Sequence, residues 1–145
     1  FEMTKESLDT YYEELGRTLG EALIEPTRIY VKALKNVKKA GIKIKGCSHI
    51  TGGGFFENVP RMLPEDARAI IYKDSYNVPA IFNLIARNGN VEENMMYNTF
   101  NMGLGMVIAV KEEDVKAAME AIEEAGDTCY RVGKIVSGEK GVELL

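Results

Sequence analysis

The sequence predicts an α+β fold in which helices pack on a mixed β-sheet. Its 145 residues are the length of one domain. The hydrophobic share of 46% and the charged share of 28% are ordinary for a folded chain. Apolar residues recur at helical and at strand spacing in the order helix, strand, strand, helix, helix, strand, helix, strand. This order differs from a βαβ repeat and favours a mixed sheet.

The first 25 residues differ from the rest of the chain. They are polar, their apolar residues are irregularly spaced, and they predict a linker with one short helical turn. Residues 26–145 carry the periodic segments and are predicted to form the domain. The chain begins with Phe1 rather than Met, so we expect a piece of a longer protein.

The first predicted helix opens at Pro26 and ends at Gly41, because proline suits a first turn and glycine suits the left-handed residue that follows a last turn. Its buried side is formed by three residues at helical spacing: Tyr30, Leu34 and Val37. Ile42 and Ile44 then alternate with lysines, which predicts a strand. Residues 67–72 predict the second strand.

Two helices are predicted in the middle of the chain. Asn77 is predicted to cap the first, with Pro79 in its opening turn and Gly89 at its end. Asn90 followed by Glu93 has the spacing of a capping box, which predicts a short helix as far as residue 97.

The last part of the chain predicts strand, helix and strand. Branched residues over 104–110 indicate a strand. The acidic residues 112–114 favour a helix start, because the helix dipole attracts negative charge there, and Gly126 is predicted to end that helix. Residues 129–136 alternate and predict the final strand.

Charge and composition exclude several classes of function. Eighteen Lys and Arg residues against 22 Asp and Glu residues give a net charge of −4, so we expect no nucleic-acid partner. No apolar run approaches the ~20 residues of a membrane span. The two cysteines, Cys47 and Cys129, form no CxxC pair and predict reduced thiols in the cytoplasm. With a single histidine, the sequence offers no His/Cys cluster, and no metal ligands are predicted.

The segment from His49 to Gly54 is the first candidate for chemistry. Three glycines allow backbone to approach a ligand closely, and successive N–H groups can surround an anion. Imidazole is suited to moving protons near neutral pH, so His49 is the candidate catalytic residue and Thr51, Gly52, Gly53 and Gly54 are candidate phosphate ligands. A plain tight turn and a structural histidine are the alternatives.

Three other places offer polar groups or free backbone. Asn58 and Arg61 follow the glycines and can orient a phosphate, or form a solvated loop in which Arg61 pairs with Glu57. Asn101 and Gly103 precede a predicted strand and can bring backbone to a ligand or form a bulge. Arg28 can reach a phosphate or remain a surface charge.

Taken together, these segments resemble a known family. The ordered set comprises Pro-Thr-Arg-Ile-Tyr-Val-Lys from residue 26, His-Ile-Thr-Gly-Gly-Gly from residue 49, Glu-Asn-Val-Pro-Arg from residue 57 and Thr-Phe-Asn-Met-Gly-Leu-Gly-Met from residue 99. The set resembles the C-terminal half of the phosphoribosylformylglycinamidine cyclo-ligase (aminoimidazole ribonucleotide synthetase) family. Tyr76 departs from it, because that family often has tryptophan there.

The resemblance implies a three-layer α/β/α domain and the ATP-dependent closure of the imidazole ring of formylglycinamidine ribonucleotide in purine synthesis. It also implies an N-terminal domain that carries most ligands of ATP and Mg²⁺, and a homodimer of the full-length enzyme. The loops of the C-terminal domain face that N-terminal domain, so an exposed apolar patch including Phe55 and Phe56 is expected there.

Two other functions remain open at the level of sequence. One is another ATP-using enzyme with the same two-domain plan, such as formylglycinamidine ribonucleotide amidotransferase. The other is a binding module that has kept the fold and lost catalysis.

Overall fold

A computed structural model describes residues 2–145, so Phe1, with which the predicted linker begins, lies outside the described residues. The α-helices are α1 (Lys5–Asp9), α2 (Leu19–Leu23), α3 (Val31–Lys39), α4 (Gly54–Asn58), α5 (Ala80–Gly89), α6 (Glu93–Thr99) and α7 (Val115–Glu123). The strands are β1 (Tyr11–Tyr12), β2 (Arg17–Thr18), β3 (Gly46–His49), β4 (Ala67–Ile71), β5 (Met106–Ala109), β6 (Gly133–Ser137) and β7 (Gly141–Leu144).

The strands lie in three sheets. β1 pairs with β2, and β3 pairs with β5, both in antiparallel orientation. The third sheet has the order β6-β4-β7, in which β4 is antiparallel to β6 and parallel to β7. The predicted α+β class, with helices and a mixed sheet, is confirmed.

The first 25 residues contain more structure than the predicted single helical turn. Thr4 and Thr18 form capping boxes that begin α1 and α2, and the β1–β2 hairpin lies between these helices. The Leu19 side chain is fully buried. A two-residue strand has no measurable periodicity, which is why the sequence pattern did not indicate the hairpin.

The region around α3 corrects two predictions. The helix begins at Val31 rather than Pro26, with Tyr30 as its N-cap, and it ends as predicted with Gly41 in the left-handed region. The Ile42 N–H then bonds back to the Val37 carbonyl, so Ile42 belongs to the helix end and the predicted strand is wrong. The strand begins instead at Gly46.

The other differences concern two helix starts, α4 and β7. Asn77 is not a cap, since Pro79 precedes α5, and Asn90 adopts a left-handed conformation that ends α5 instead of capping α6. Residues 54–58 form α4 although the run of glycines that ends at Gly54 predicted a turn or loop. The strand β7 had not been predicted at all.

Two hydrophobic clusters lie beside the β3–β5 pair. The larger joins α4, α6 and β4 and includes Phe55, Ile71 and Met96. The smaller joins α3 to α7 through Val37 and Ala118, with Ile108 of β5 packed against it. Apolar packing therefore supports the β3–β5 pair. The segment that follows β3 and the segment that precedes β5 both extend from this rigid pair.

Candidate functional site

Both glycine segments of the predicted site lie at one end of the β3–β5 pair. The register places His49 opposite Met106, where β3 ends and β5 begins. One residue further, the Ile50 N–H donates to the Gly105 carbonyl at 2.8 Å. The antiparallel pairing thus brings His49–Gly54 beside Asn101–Gly105.

The glycine segment turns sharply from β3 into α4. Gly53 and Gly54 have φ angles of 91° and 54°, in the left-handed region that favours glycine. A Cβ atom on Gly54 would overlap the backbone carbonyl of Tyr97, so α6 packs directly on this turn. Within the described residues, no group accepts a hydrogen bond from the N–H of Gly52 or Gly53. These two donors are available to a ligand.

The Asn58 side chain holds the same turn from inside. It is 2% exposed, and its amide nitrogen donates to the carbonyl oxygens of Thr51, Gly52 and Gly54 at 3.3, 3.2 and 2.8 Å. Its Oδ1 accepts from the Thr51 hydroxyl and from the Arg61 guanidinium. The nitrogen and the oxygen of the Asn58 side-chain amide are therefore both hydrogen-bonded, to the turn and to Arg61.

Arg61 and Glu57 stand at the exposed rim of the turn. The Arg61 guanidinium lies 3.2 Å from Asn58 Oδ1 and 3.9 Å from the Glu57 carboxylate. The pairing of Arg61 with Glu57 was the alternative interpretation at the level of sequence, and it is present. Both side chains are more than half exposed, so this ion pair contributes little and leaves the guanidinium accessible.

The second glycine segment is held by packing. Asn101 Oδ1 accepts the Gly103 N–H at 2.9 Å, which closes a tight turn. Gly103 has a φ of 99°, and a Cβ there would lie 2.5 Å from the Pro79 ring. Gly105 has the Tyr30 hydroxyl against it, where a Cβ would overlap. Proline and tyrosine side chains thus fill the space that the glycines leave.

Tyr30 also contacts His49, which sequence reasoning did not predict. The two rings meet edge to face with centroids 5.9 Å apart. Burial raises the pKa of the Tyr30 phenol, the Arg28 charge lowers it, and the Asp127 charge raises it further. The imidazole itself is exposed. Tyr30 belongs to the first segment of the family resemblance, and that segment was the available signal.

Arg28 lies at the edge of this cluster. Its guanidinium is 3.3 Å from the carboxylate of Asp127, which follows α7, and it remains 58% exposed. The Arg28 charge lowers the pKa of the Tyr30 phenol, and the Tyr30 ring in turn contacts the His49 imidazole. The structure therefore brings the two glycine segments, Asn58 and Arg61 together at one end of the β3–β5 pair, whereas Arg28 pairs with Asp127.

The predicted exposed apolar patch is half wrong. The Phe55 side chain is fully buried in the larger cluster and packs on the Tyr97 ring, because α4 turns it inward. Phe56 is exposed to 37%. Over residues 2–145, no three His, Cys, Asp or Glu side chains are placed to hold a metal ion. No helix in that range is long and apolar enough to cross a membrane.

The chain matches a known protein family over nearly its whole length. A family model described as AIR synthase related protein, C-terminal domain, matches residues 2–144. The chain belongs to this family. An AIR synthase related C-terminal domain therefore accounts for nearly the whole chain, and the resemblance found in the sequence is confirmed.

Individual relatives extend the comparison. The chain is 65% identical over 144 residues to phosphoribosylformylglycinamidine cyclo-ligase of Lachnospira eligens, covering 99% of this chain and 42% of that protein. It is 66% identical over 145 residues to the protein of the same name from Agathobacter rectalis, covering 100% of this chain and 42% of that protein. The Caldicellulosiruptor bescii protein of that name is 53% identical over 137 residues, with coverages of 94% and 40%. The chain spans about two fifths of the length of these relatives.

Proposed function

We propose that this chain is the C-terminal domain of a cyclo-ligase that converts formylglycinamidine ribonucleotide and ATP to aminoimidazole ribonucleotide, ADP and phosphate. The observation that carries the proposal is the placement of two unpaired glycine N–H groups, an exposed imidazole and an exposed guanidinium around one end of the β3–β5 pair. The names of the similar proteins point to the same reaction.

The chemistry matches these groups. ATP supplies the phosphoryl group that turns the formyl amide oxygen into a leaving group. The N–H groups of Gly52 and Gly53 bind phosphoryl oxygens, and Arg28 and Arg61 add positive charge beside them. Asn101 and Gly103 hold the adjoining segment in place, and the Thr51 hydroxyl lies at the edge of the turn. Ring closure is intramolecular, so a site that holds the substrate folded supplies much of the rate.

His49 carries the proton in this proposal. Cyclisation makes the attacking nitrogen more acidic, and a group within hydrogen-bond reach must accept its proton. The imidazole is exposed at the end of β3, and the Tyr30 ring limits its rotation from one side. It can therefore meet a ligand bound to the turn.

The remaining parts of the reaction require the rest of the protein. The described residues do not fit a Mg²⁺ ion, because carboxylates that such an ion prefers are not clustered among them. We expect an N-terminal domain to bring those carboxylates, most of the ATP site and the homodimer surface. The whole enzyme is expected in the cytoplasm, where nucleotide precursors are made. No step in this domain is assigned to the metal.

The test uses the full-length protein with His49→Ala. We expect kcat to fall by about 10²- to 10⁴-fold while the melting temperature stays near that of the unaltered protein. Cys47→Ala is the matched control, because Cys47 is exposed on the same strand two residues away and takes no part in the proposed site. A kcat within about threefold of normal would remove His49 from the chemistry, since that ratio is below about 0.7 kcal/mol.

A second assay separates the enzyme from a binding module. The 145-residue chain alone is expected to show no ring closure, because residues 2–145 contain no carboxylate cluster for the metal. The full-length protein is expected to produce aminoimidazole ribonucleotide when ATP is present. Nucleotide binding without ring closure in the full-length protein would instead support the binding module.

A further inference from the structure

The inward side of the glycine turn is fully occupied by one side chain. The two N–H bonds of the Asn58 amide are shared among the carbonyl oxygens of Thr51, Gly52 and Gly54, and its oxygen accepts from Thr51 and Arg61. The residue is 2% exposed. Its main-chain carbonyl is also bound, because the buried Ser48 hydroxyl of β3 donates to it at 2.8 Å. Asn58 has no polar group left for a substrate.

The geometry of the peptide bond determines where the N–H groups of the glycine turn point. The carbonyl and the following N–H of a planar trans peptide point to opposite sides, and the described chain contains no cis peptide. When Asn58 draws the carbonyls of Thr51 and Gly52 inward, the N–H groups of Gly52 and Gly53 face away from it. These are the two N–H groups without an acceptor among the described residues. The buried amide therefore fixes the direction of the Gly53 N–H, and it fixes that of the Gly52 N–H together with the Gly54 N–H, which donates to the same Thr51 carbonyl at 3.0 Å.

We propose that Asn58 is a positioning residue that aims the Gly52 and Gly53 N–H groups at a phosphoryl group, and that it does not touch the substrate. The identity of the ligand in this inference rests on the proposed function, whereas the restraint of the turn by Asn58 does not. The role differs from the direct phosphate contact that the sequence suggested for Asn58.

The experiment compares variants of the full-length protein. Asn58→Asp keeps the shape but replaces the amide donors with a carboxylate oxygen that repels the three carbonyls. Asn58→Ser is the milder change, because serine keeps one hydrogen-bond donor on a shorter side chain. It replaces Asn58→Asp in the experiment if the aspartate variant does not fold. Asn36→Ala is the matched control, because Asn36 donates to the Ala121 carbonyl between α3 and α7, away from the turn.

Two readouts are measured on each folded variant. Hydrogen exchange of the peptide spanning residues 50–58 reports on restraint of the turn, and KM for ATP and for formylglycinamidine ribonucleotide reports on phosphoryl binding. We expect at least about tenfold faster exchange in this peptide alone, with a rise of about tenfold in KM for one substrate. The control is expected to change neither readout.

The outcomes are distinguishable. Normal exchange in a folded Asn58 variant overturns the positioning role, whatever happens to KM. Faster exchange with both KM values unchanged supports the restraint and overturns the phosphoryl role of the turn in the proposed function. A raised KM with normal exchange means that Asn58 contacts the ligand directly, which also overturns the inference.

Discussion

The two glycine segments at the end of the β3–β5 pair are restrained by different forces. The turn at residues 51–54 is held from inside by a polar side chain, since Asn58 binds three of its carbonyls. The turn at Gly103–Gly105 has one side-chain hydrogen bond, from the Gly103 N–H to Asn101, and is otherwise held by shape, because the Pro79 ring and the Tyr30 hydroxyl occupy the space where side chains would be. Hydrogen bonds fix the direction of backbone groups, whereas packing fixes only their position.

The three glycines of the first segment also differ in how much space each leaves for a side chain. Gly54 has no room for a side chain, whereas a Cβ on Gly52 would meet nothing within 4 Å. Gly53 lies between these extremes, since its left-handed φ would strain any other residue and its nearest neighbours are side-chain atoms of Glu57 rather than backbone. Packing thus requires glycine at position 54, whereas at position 52 the structure leaves room for a side chain.

The largest expected effect is that of Gly54→Ala. Its Cβ would overlap the Tyr97 carbonyl, which is backbone and cannot move aside, and its φ of 54° adds strain. We expect a loss of about 3 kcal/mol or more in the free energy of unfolding. Urea denaturation measures it. A loss below about 1 kcal/mol would contradict the tight contact between α4 and α6.

A smaller effect is expected for Gly105→Ala, because its Cβ would meet the far end of the Tyr30 side chain, which can rotate. We expect a loss of about 1 kcal/mol. Tyr30→Phe removes the hydroxyl, so the double variant should recover part of this loss in a double-mutant cycle. Additive losses would show that Tyr30 and Gly105 are not in contact.

The pH dependence of stability tests the surroundings of Tyr30. The native pKa of Tyr30 lies above its ordinary value of 10.0, through burial first and with Arg28 and Asp127 acting in opposite senses. The unfolded chain therefore loses this proton first. The contribution of Tyr30 is complete below about pH 10 and is lost as the pH rises through the native pKa.

The matched variant for this titration is Tyr30→Phe. The difference in unfolding free energy between the unaltered protein and Tyr30→Phe should shrink as the pH is raised above 10. Arg28→Gln should increase that shrinkage, because the arginine lowers the pKa. A difference that is constant with pH would mean that the Tyr30 phenol is as solvated in the native state as in the unfolded chain.

The smallest effect on stability is expected for Gly52→Ala. Its Cβ enters open space, so the free energy of unfolding should change by less than about 0.5 kcal/mol. The added methyl would nevertheless stand beside the free N–H groups, and we expect KM for a phosphate-bearing substrate to rise about tenfold, or about 1.4 kcal/mol. An unchanged KM would argue that no ligand approaches this turn.

Sequence rules were sufficient where structure is decided locally. Gly41 ends α3 as predicted, because the left-handed residue after a helix is a matter of a few neighbouring bonds. The helix-forming stretches at α5 and α7 were found from their periodicity, although their first residues differ from the prediction. Asn90 had the correct residue type for a helix cap, but it caps the end of α5 instead.

The site required contacts between distant parts of the chain. Ordered motifs identified the two glycine segments, and antiparallel pairing of β3 with β5 explains why they meet. The roles of Tyr97 above Gly54 and of Tyr30 beside His49 depend on packing between elements far apart in sequence. The helix α4 was missed for the same reason, since the glycines that lead into it favour a loop until Asn58 and α6 restrain them.

The mixed sheet has a consequence for the time course of synthesis. β4 lies at the centre of its sheet, but both its partners are made later, and about 60 residues separate Ile71 from Gly133. At about 5 to 20 residues per second, the ribosome needs about 3 to 12 seconds to make that interval. During this time the apolar β4 has no ladder partner. A change that weakens β7 pairing should therefore clearly lower the yield of soluble protein during expression. The melting temperature of the molecules that have folded should fall only slightly.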